Sequence, residues 1–188
     1  MNVVIIDYGA GNLFSVQQAF KRLGIEPVVS DNPAVIANAS HVIFPGVGHA
    51  KTAMEQLKAK KLDRLIPQLK QPVLGICLGM QLLCEFTEEG NLAGLGVFRS
   101  RIELIPDEVI VPHMGWNDVQ FSGNESHPNS YYFVHSYKAS LSEDTWGICD
   151  YGQPFSAALK RNNFYGVQFH PEKSSKQGTQ LLTEFLQQ

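Results

Sequence analysis

The twelve residues "PVLGICLGMQLL" (72–83) decide how this chain folds. An apolar run leads into a cysteine framed by Gly75 and Gly79, and a second apolar run with helical spacing follows. That order reads as a buried strand, a tight turn and a helix. The two glycines allow the turn without Cβ clashes, and they lift Cys77 off the end of the strand. A helix N-terminus directly behind the cysteine lowers a thiol pKa and favours thiolate. A lone cysteine in apolar surroundings is more often a small core residue. The rest of the chain has to decide between packing and chemistry.

The same strand–turn–helix rhythm runs through the first half. "VVIIDY" (3–8) is a strand buried on both faces. "NLFSVQQAFKRLG" is a helix with Leu13, Val16, Phe20 and Leu23 at helical spacing, Asn12 as N-cap and Gly24 as its stop. "IEPVVS" (25–30) and "HVIFPG" (41–46) are further strands. "HAKTAMEQLKAKKLDRLI" is a helix with Ala50, Met54, Leu57 and Leu65 on one side, and "LGMQLLCEF" is a helix after Cys77. From about residue 95 the pattern changes to strands and turns: "LGVFRSRIELI", "NDVQF", "SYYFVHSYKA", "TWGICDYG" and "PFSAALKRNNFYGVQF". Helical spacing returns at "GTQLLTEFL" (178–186). The expected fold is α/β: a three-layer sandwich with a mostly parallel central sheet, helices on both faces and an added antiparallel section in the second half. Residues 1–188 are read as one domain, since this length builds one sizeable core.

Bulk properties narrow the function. The chain is 44% hydrophobic and 18% charged with net charge −3, which gives no reason to invoke nucleic acid or a membrane surface. No apolar run approaches the roughly 18 residues of a membrane span. "MNVVIIDYGAGN" lacks a basic n-region and reads as a strand rather than a signal peptide. Three cysteines without a CxxC pair fit neither a disulfide framework nor a zinc site, and a reducing cytoplasm is the expected setting. His41, His49, His113, His127 and His135 show no metal-ligand spacing.

A thiolate nucleophile needs a base. His170 ends an apolar strand in "YGVQFHPEKS", and Glu172 follows across Pro171. Residues i and i+2 of an extended segment project to one side, so Glu172 can orient the His170 imidazole towards a thiol from another strand. The alternative is a solvated strand-end turn. A third element, "FPGVGHA" (44–50), also joins a strand to a helix. Its glycines, Gly46 and Gly48, free backbone amides to face a cleft, as a second oxyanion donor beside the N–H of Leu78 requires. All three elements fall at strand carboxyl ends, where open α/β sheets place their sites. That coincidence favours chemistry at Cys77.

"PGVG", "GICLGMQLL" and "FHPEKS" resemble the triad-type (class I) glutamine amidotransferases. "IIDYGAGNL", "PHMGWN" and "YFVHSY" extend the similarity over essentially the whole chain, and they resemble the glutaminase branch that serves histidine biosynthesis. The resemblance implies that Cys77 is the nucleophile, His170 the base and Glu172 its orienting carboxylate. It implies that Gln81 holds the bound glutamine and that Ser136 lies in the segment lining its pocket. Of Glu85, Glu88 and Glu89, family position favours Glu89 as the anion for the substrate ammonium. No cofactor and no metal are implied. The implied partner, in a heterodimer, is a (β/α)8-barrel cyclase that forms imidazole glycerol phosphate and an aminoimidazole carboxamide ribotide. Pro112, Met114 and Trp116 of "PHMGWN" and Lys173 are the implied contacts, with core packing of Trp116 and a solvated Lys173 as alternatives. Many relatives carry adjacent glycines in the oxyanion loop where this chain has Val47. A β-branched residue resists positive φ, so the loop is expected to rest misaligned until a partner docks.

Two other readings compete. One keeps the cysteine elbow on a peptidase-like or aldehyde-handling enzyme. The other makes Cys77 structural and the chain a binding subunit. Cys84, seven residues on along the same helix, and Cys149, in a strand, read as core residues. Tyr8 and Asn12 are either interface or βα-loop residues.

Overall fold

The computed structural model describes residues 1–123 and 129–188 of the chain, so His127 lies outside the described residues. Strand β1 (Val3–Ile6) pairs in parallel with β2 (Val28–Ser30) and β3 (His41–Gly46). Next to β3 stands β4 (Val73–Cys77), and beside β4 stands β13 (Phe164–Val167), both again parallel. The sheet continues antiparallel through β12 (Gln153–Arg161), β10 (Tyr137–Ala139) and β7 (Phe98–Leu104). It ends at β5 (Cys84–Thr87) and β6 (Leu92–Ala93). A side branch of β11 (Thr145–Tyr151), β8 (His113–Phe121) and β9 (Asn129–His135) leaves from β12.

Alternation along the central strands assigns the layers. Val4 and Ile6 pack on one face with α3 (Ala50–Ala59), α4 (Leu62–Leu65) and Ile36 of α2 (Pro33–Ala37). Val3 and Ile5 pack on the other face against α1 (Leu13–Arg22) and α6 (Ser175–Phe185). The expected α/β sandwich with an antiparallel second half is therefore the observed one. In α1 the Asn12 side chain accepts from Ser15 N at 3.3 Å, and Gly24 follows the C-cap at φ +77°.

Several boundaries differ from the sequence pattern. The helix after Cys77, α5, stops at Leu83, and Cys84 opens β5 instead of continuing the helix. Pairing of β5 with β7 fixes that segment as extended, because the backbone bonds of a sheet outweigh a short run's helical preference. Helix α3 ends before Lys60 because its buried face, Ala53, Met54 and Leu57, would next present Lys60 and Lys61. A left-handed Lys61 (φ 60°) breaks the helix and turns Leu62 into the core, while Leu65 is only half-buried. Helix α2 carries too few residues to show a period, and "PHMGWN" lies largely on β8.

Close backbone approach locks α5 onto the sheet. A Cβ on Gly79 would overlap the Phe44 carbonyl of β3. Gly79→Ala should therefore destabilise the fold by about 3 kcal/mol or more, read as a lowered midpoint in thermal or denaturant unfolding.

Candidate active site

Three parallel strands end side by side, and each delivers one part of the site. Gly46 at the end of β3 is the direct pairing partner of Cys77 at the end of β4. On the other flank, Val167 of β13 pairs with Ile76, and three residues later the chain reaches His170. Cys77 adopts φ 53°, ψ −112° and forms the N-cap of α5, which is the strained elbow expected from the glycines. The cysteine is 8% exposed and His170 is 3% exposed.

The histidine–carboxylate pair is formed. His170 Nδ1 lies 2.8 Å from Glu172 Oε1, with both side chains buried, and a 3-10 turn at Pro171–Lys173 holds the carboxylate in place. His170 Nε2 is buried and has no hydrogen-bond partner. Burial alone would lower the His170 pKa, but interactions with Cys77 and Glu172 outweigh it and raise the imidazole to about 10. At neutral pH the ring is therefore a cation beside the thiol. That arrangement suits a thiolate–imidazolium pair.

A cavity of about 510 Å³ opens over Cys77. Gln81, Leu78, Val47, Gly48, Glu89 and Ser136 line it, and so do Pro112 and Lys173. Gly46 lines a smaller hollow beside it with His170 and Glu172. A larger hollow, about 650 Å³, lies behind Glu172 between α1 and α6, and Cys77 does not line it. One Glu89 oxygen accepts from Ala50 N at 2.8 Å and so caps α3, while the residue still lines the cavity. Glu88 instead accepts from Leu104 N. In the "PGVG" loop φ is positive at Gly48 (+98°) and not at Val47, as a β-branched side chain requires.

Met114 and Trp116 are 62% and 53% exposed, so core packing of Trp116 is ruled out. The Trp116 ring meets Tyr132 edge-on at 6.2 Å, and Lys173 Nζ stands 5.9 Å from the same Tyr132 ring. Tyr8 is fully buried and its hydroxyl lacks a partner. Cys84 and Cys149 are free, buried thiols with raised pKa values, caused chiefly by burial. Among the described residues, no group of three His, Cys, Asp or Glu side chains is placed to hold a metal ion.

Sequence reasoning missed Gln168. It is fully buried next to Cys77 and donates from Nε2 to its Sγ at 3.7 Å. The available signal was an amide inside the otherwise apolar run "GVQF", since a buried amide needs specific partners.

The raised His170 pKa fixes a pH dependence. The folded value of about 10 exceeds the ordinary 6.5, so this group's stabilisation is complete below about 6.5 and is lost as pH rises through about 10. Glu172→Gln should lower the His170 titration midpoint in NMR. It should also narrow the stability gap between neutral pH and pH 10 in denaturant titrations.

A family model described as "Glutamine amidotransferase class-I" matches residues 4–188. The imidazole glycerol phosphate synthase subunit HisH of Bacteroides fragilis is 48% identical, covering 100% of both chains. The HisH subunit of Haemophilus influenzae is 47% identical over 100% of this chain and 98% of its own. The crystal structure of a glutamine amidotransferase shares the fold at TM-score 0.79 and 18% identity, over 99% of this chain and 98% of its own. The structure of PurLQS from Thermotoga maritima does so at TM-score 0.75 and 15% identity, over 99% and 97%. The chain belongs to the class I glutamine amidotransferases, among the HisH subunits of imidazole glycerol phosphate synthase.

Proposed function

We propose that Cys77, His170 and Glu172 hydrolyse L-glutamine and that the ammonia passes to a (β/α)8-barrel cyclase docked over the cavity. The family makes the chain the glutaminase subunit of an imidazole glycerol phosphate synthase, in histidine biosynthesis. The observation that carries the residue assignment is the buried His170–Glu172 pair beside a cysteine on a strained elbow.

The reaction follows from the geometry. Cys77 thiolate attacks the side-chain amide carbon of glutamine, and negative charge moves to the amide oxygen. The N–H groups of Leu78 and Val47 receive that oxyanion. Imidazolium at His170 gives its proton to the departing nitrogen, so ammonia leaves and a thioester remains on Sγ. The neutral ring then takes a proton from water as the water oxygen attacks the thioester. Glutamate departs and the thiolate–imidazolium pair returns. Glu172 keeps the Nδ1 proton directed at itself throughout, which leaves Nε2 for the transfers.

Gln81, Gly46, Gly48 and Ser136 are assigned to glutamine binding, and Glu89 to the substrate ammonium through the carboxylate oxygen that does not cap α3. Pro112, Met114, Trp116 and Lys173 are assigned to the cyclase interface, because exposed aromatic and thioether side chains beside the cavity edge are what interfaces favour. Residues 1–188 act as one glutaminase domain in a heterodimer. The proposed cytoplasmic setting accords with three free thiols.

Cys77→Ala should reduce glutamine hydrolysis by ~10³-fold or more, while the complex still cyclises its substrate when ammonium salt is supplied. Unchanged ammonia release would overturn the nucleophile assignment, and loss of both activities would point to folding or docking instead. Val47→Gly removes the bar to positive φ at the oxyanion loop. It should raise hydrolysis by the isolated chain about tenfold, part of the ~10²-fold that an oxyanion donor is worth. The check is steady-state ammonia release with and without the partner.

A further inference from the structure

A run of hydrogen bonds, buried at its inner links and partly buried or exposed at the others, joins Cys77 to the strand that carries Trp116. Gln168 Nε2 donates to Cys77 Sγ at 3.7 Å, and Gln168 Oε1 accepts from Gln81 Nε2 at 2.9 Å. The same Gln81 nitrogen donates to the backbone oxygen of Tyr137 at 3.0 Å. That oxygen also faces His135 Nδ1 at 2.8 Å. His135 Nε2 lies 2.9 Å from His113 Nδ1, and His113 Nε2 lies 3.3 Å from Asn117 Nδ2. Asn117 is the residue after Trp116 on β8, and its Nδ2 donates as well to Asp150 O at 3.0 Å.

A carbonyl oxygen can only accept, so Tyr137 fixes the sense of every link on both sides. Turning the Gln81 amide over would set two oxygens against each other. Turning Gln168 over would oppose two NH2 groups and point a carbonyl oxygen at the sulfur. On the other branch, His135 must carry its proton on Nδ1 and accept at Nε2. His113 then carries its proton on Nδ1 and accepts from Asn117. Both rings are neutral, because burial lowers His113 to about 4 and His135 to about 3. The His113 ring is stacked on Phe133 at 4.7 Å and on Tyr151 at 3.9 Å, which keeps both nitrogens aimed.

We infer that Gln168 stabilises the Cys77 thiolate through its amide N–H, and that the chain from Gln81 through Tyr137, His135 and His113 to Asn117 holds that N–H on the sulfur from β8. The inference rests on the reading of Cys77 as nucleophile. A thiolate is a far better acceptor than a thiol, so the bond strengthens when Sγ is charged. Among the described residues, His170, His135, Glu89 and Lys173 line the cavity with Cys77, and burial and the charge of Cys77 act on Tyr8. Gln168 touches the reacting atom, whereas His135 and His113 act through others and are positioning residues.

The test is the rate of Cys77 alkylation by iodoacetamide against pH in the full chain, with each cysteine followed by peptide mass spectrometry. Gln168→Met keeps side-chain length and loses the donor. Its alkylation at neutral pH should be about tenfold slower, the size of one hydrogen bond to a charged group, with the profile displaced to higher pH. Gln168→Glu still accepts from Gln81 and should move the profile the same way, which keeps the test available if Gln168→Met does not fold. His113→Phe retains the ring stack without its nitrogens. It should shift the profile by a smaller amount, and in the Gln168→Met background it should add nothing. An unchanged profile in the folded Gln168 variants overturns the donor role, and additive effects of the two substitutions overturn the chain. Failure of the underlying reading shows separately, as glutamine hydrolysis that survives Cys77→Ala.

Discussion

Cys77 stands at φ 53°, ψ −112°, a conformation that a residue with a Cβ adopts only at a cost of ~1–3 kcal/mol. The surroundings hold it there by leaving no other path. A Cβ on Gly75 would lie 2.8 Å from Leu83 Cδ1 and 2.9 Å from Met80 N, so β4 runs directly under the helix it feeds. One on Gly46 would lie 2.7 Å from both Gly79 N and the Tyr8 hydroxyl. Three glycines thus let β3, β4 and α5 approach to backbone contact, and Gly79 closes on the Phe44 carbonyl. The neighbouring strands therefore determine the strained turn at least as much as its own sequence does. Because β13 flanks β4 on the other side, the same constraint decides which residue the sulfur can meet.

That dependence explains what the sequence disclosed and what it withheld. The central strands were legible because their residues are apolar on both faces, and β3 spans the very residues read as a strand. Cys77, His170 and Glu172 were legible because each marks a local event: an elbow between glycines, a strand end, and a carboxylate two residues on. Cys84 was misplaced on the helix because "LGMQLLCEF" has helical spacing and nothing local in it reports the pairing with β7. The left-handed Lys61 was hidden for a similar reason, since two lysines in phase with the buried face announce the break only once the core is known. That "PHMGWN" opens β8 was hidden as well, because the contrast of buried His113 with exposed Met114 and Trp116 is visible only once β8 is paired with β9.

Gln168 marks a different limit. Its partners are Gln81, 87 positions away, and Cys77, 91 positions away. No window along the chain contains both. What orients the amide is a backbone oxygen it never touches, Tyr137 O, which accepts from Gln81 Nε2 and so turns the Gln81 NH2 towards Gln168 Oε1. Sequence reasoning treats a backbone carbonyl as part of a strand ladder. Here the carbonyl is the fixed acceptor around which four side chains choose their orientation, and the identity of residue 137 has no bearing on it.

These constraints divide the site into a part that is finished and a part that is not. The His170–Glu172 pair is buried and hydrogen-bonded, and the charge on His170 is set by contacts within this chain. Moving any of those groups would strand a buried charge, which costs several kcal/mol. The "PGVG" loop is otherwise: Val47 is 41% exposed, and its neighbour Gly48 already occupies positive φ. A rotation there disturbs no buried ion pair. On the proposed reading, a docking partner gains control of hydrolysis most cheaply by moving the Val47 peptide, not by assembling the triad. Restraint placed on the loop leaves the His170–Glu172 pair intact, so the subunit can respond to docking without rebuilding its core.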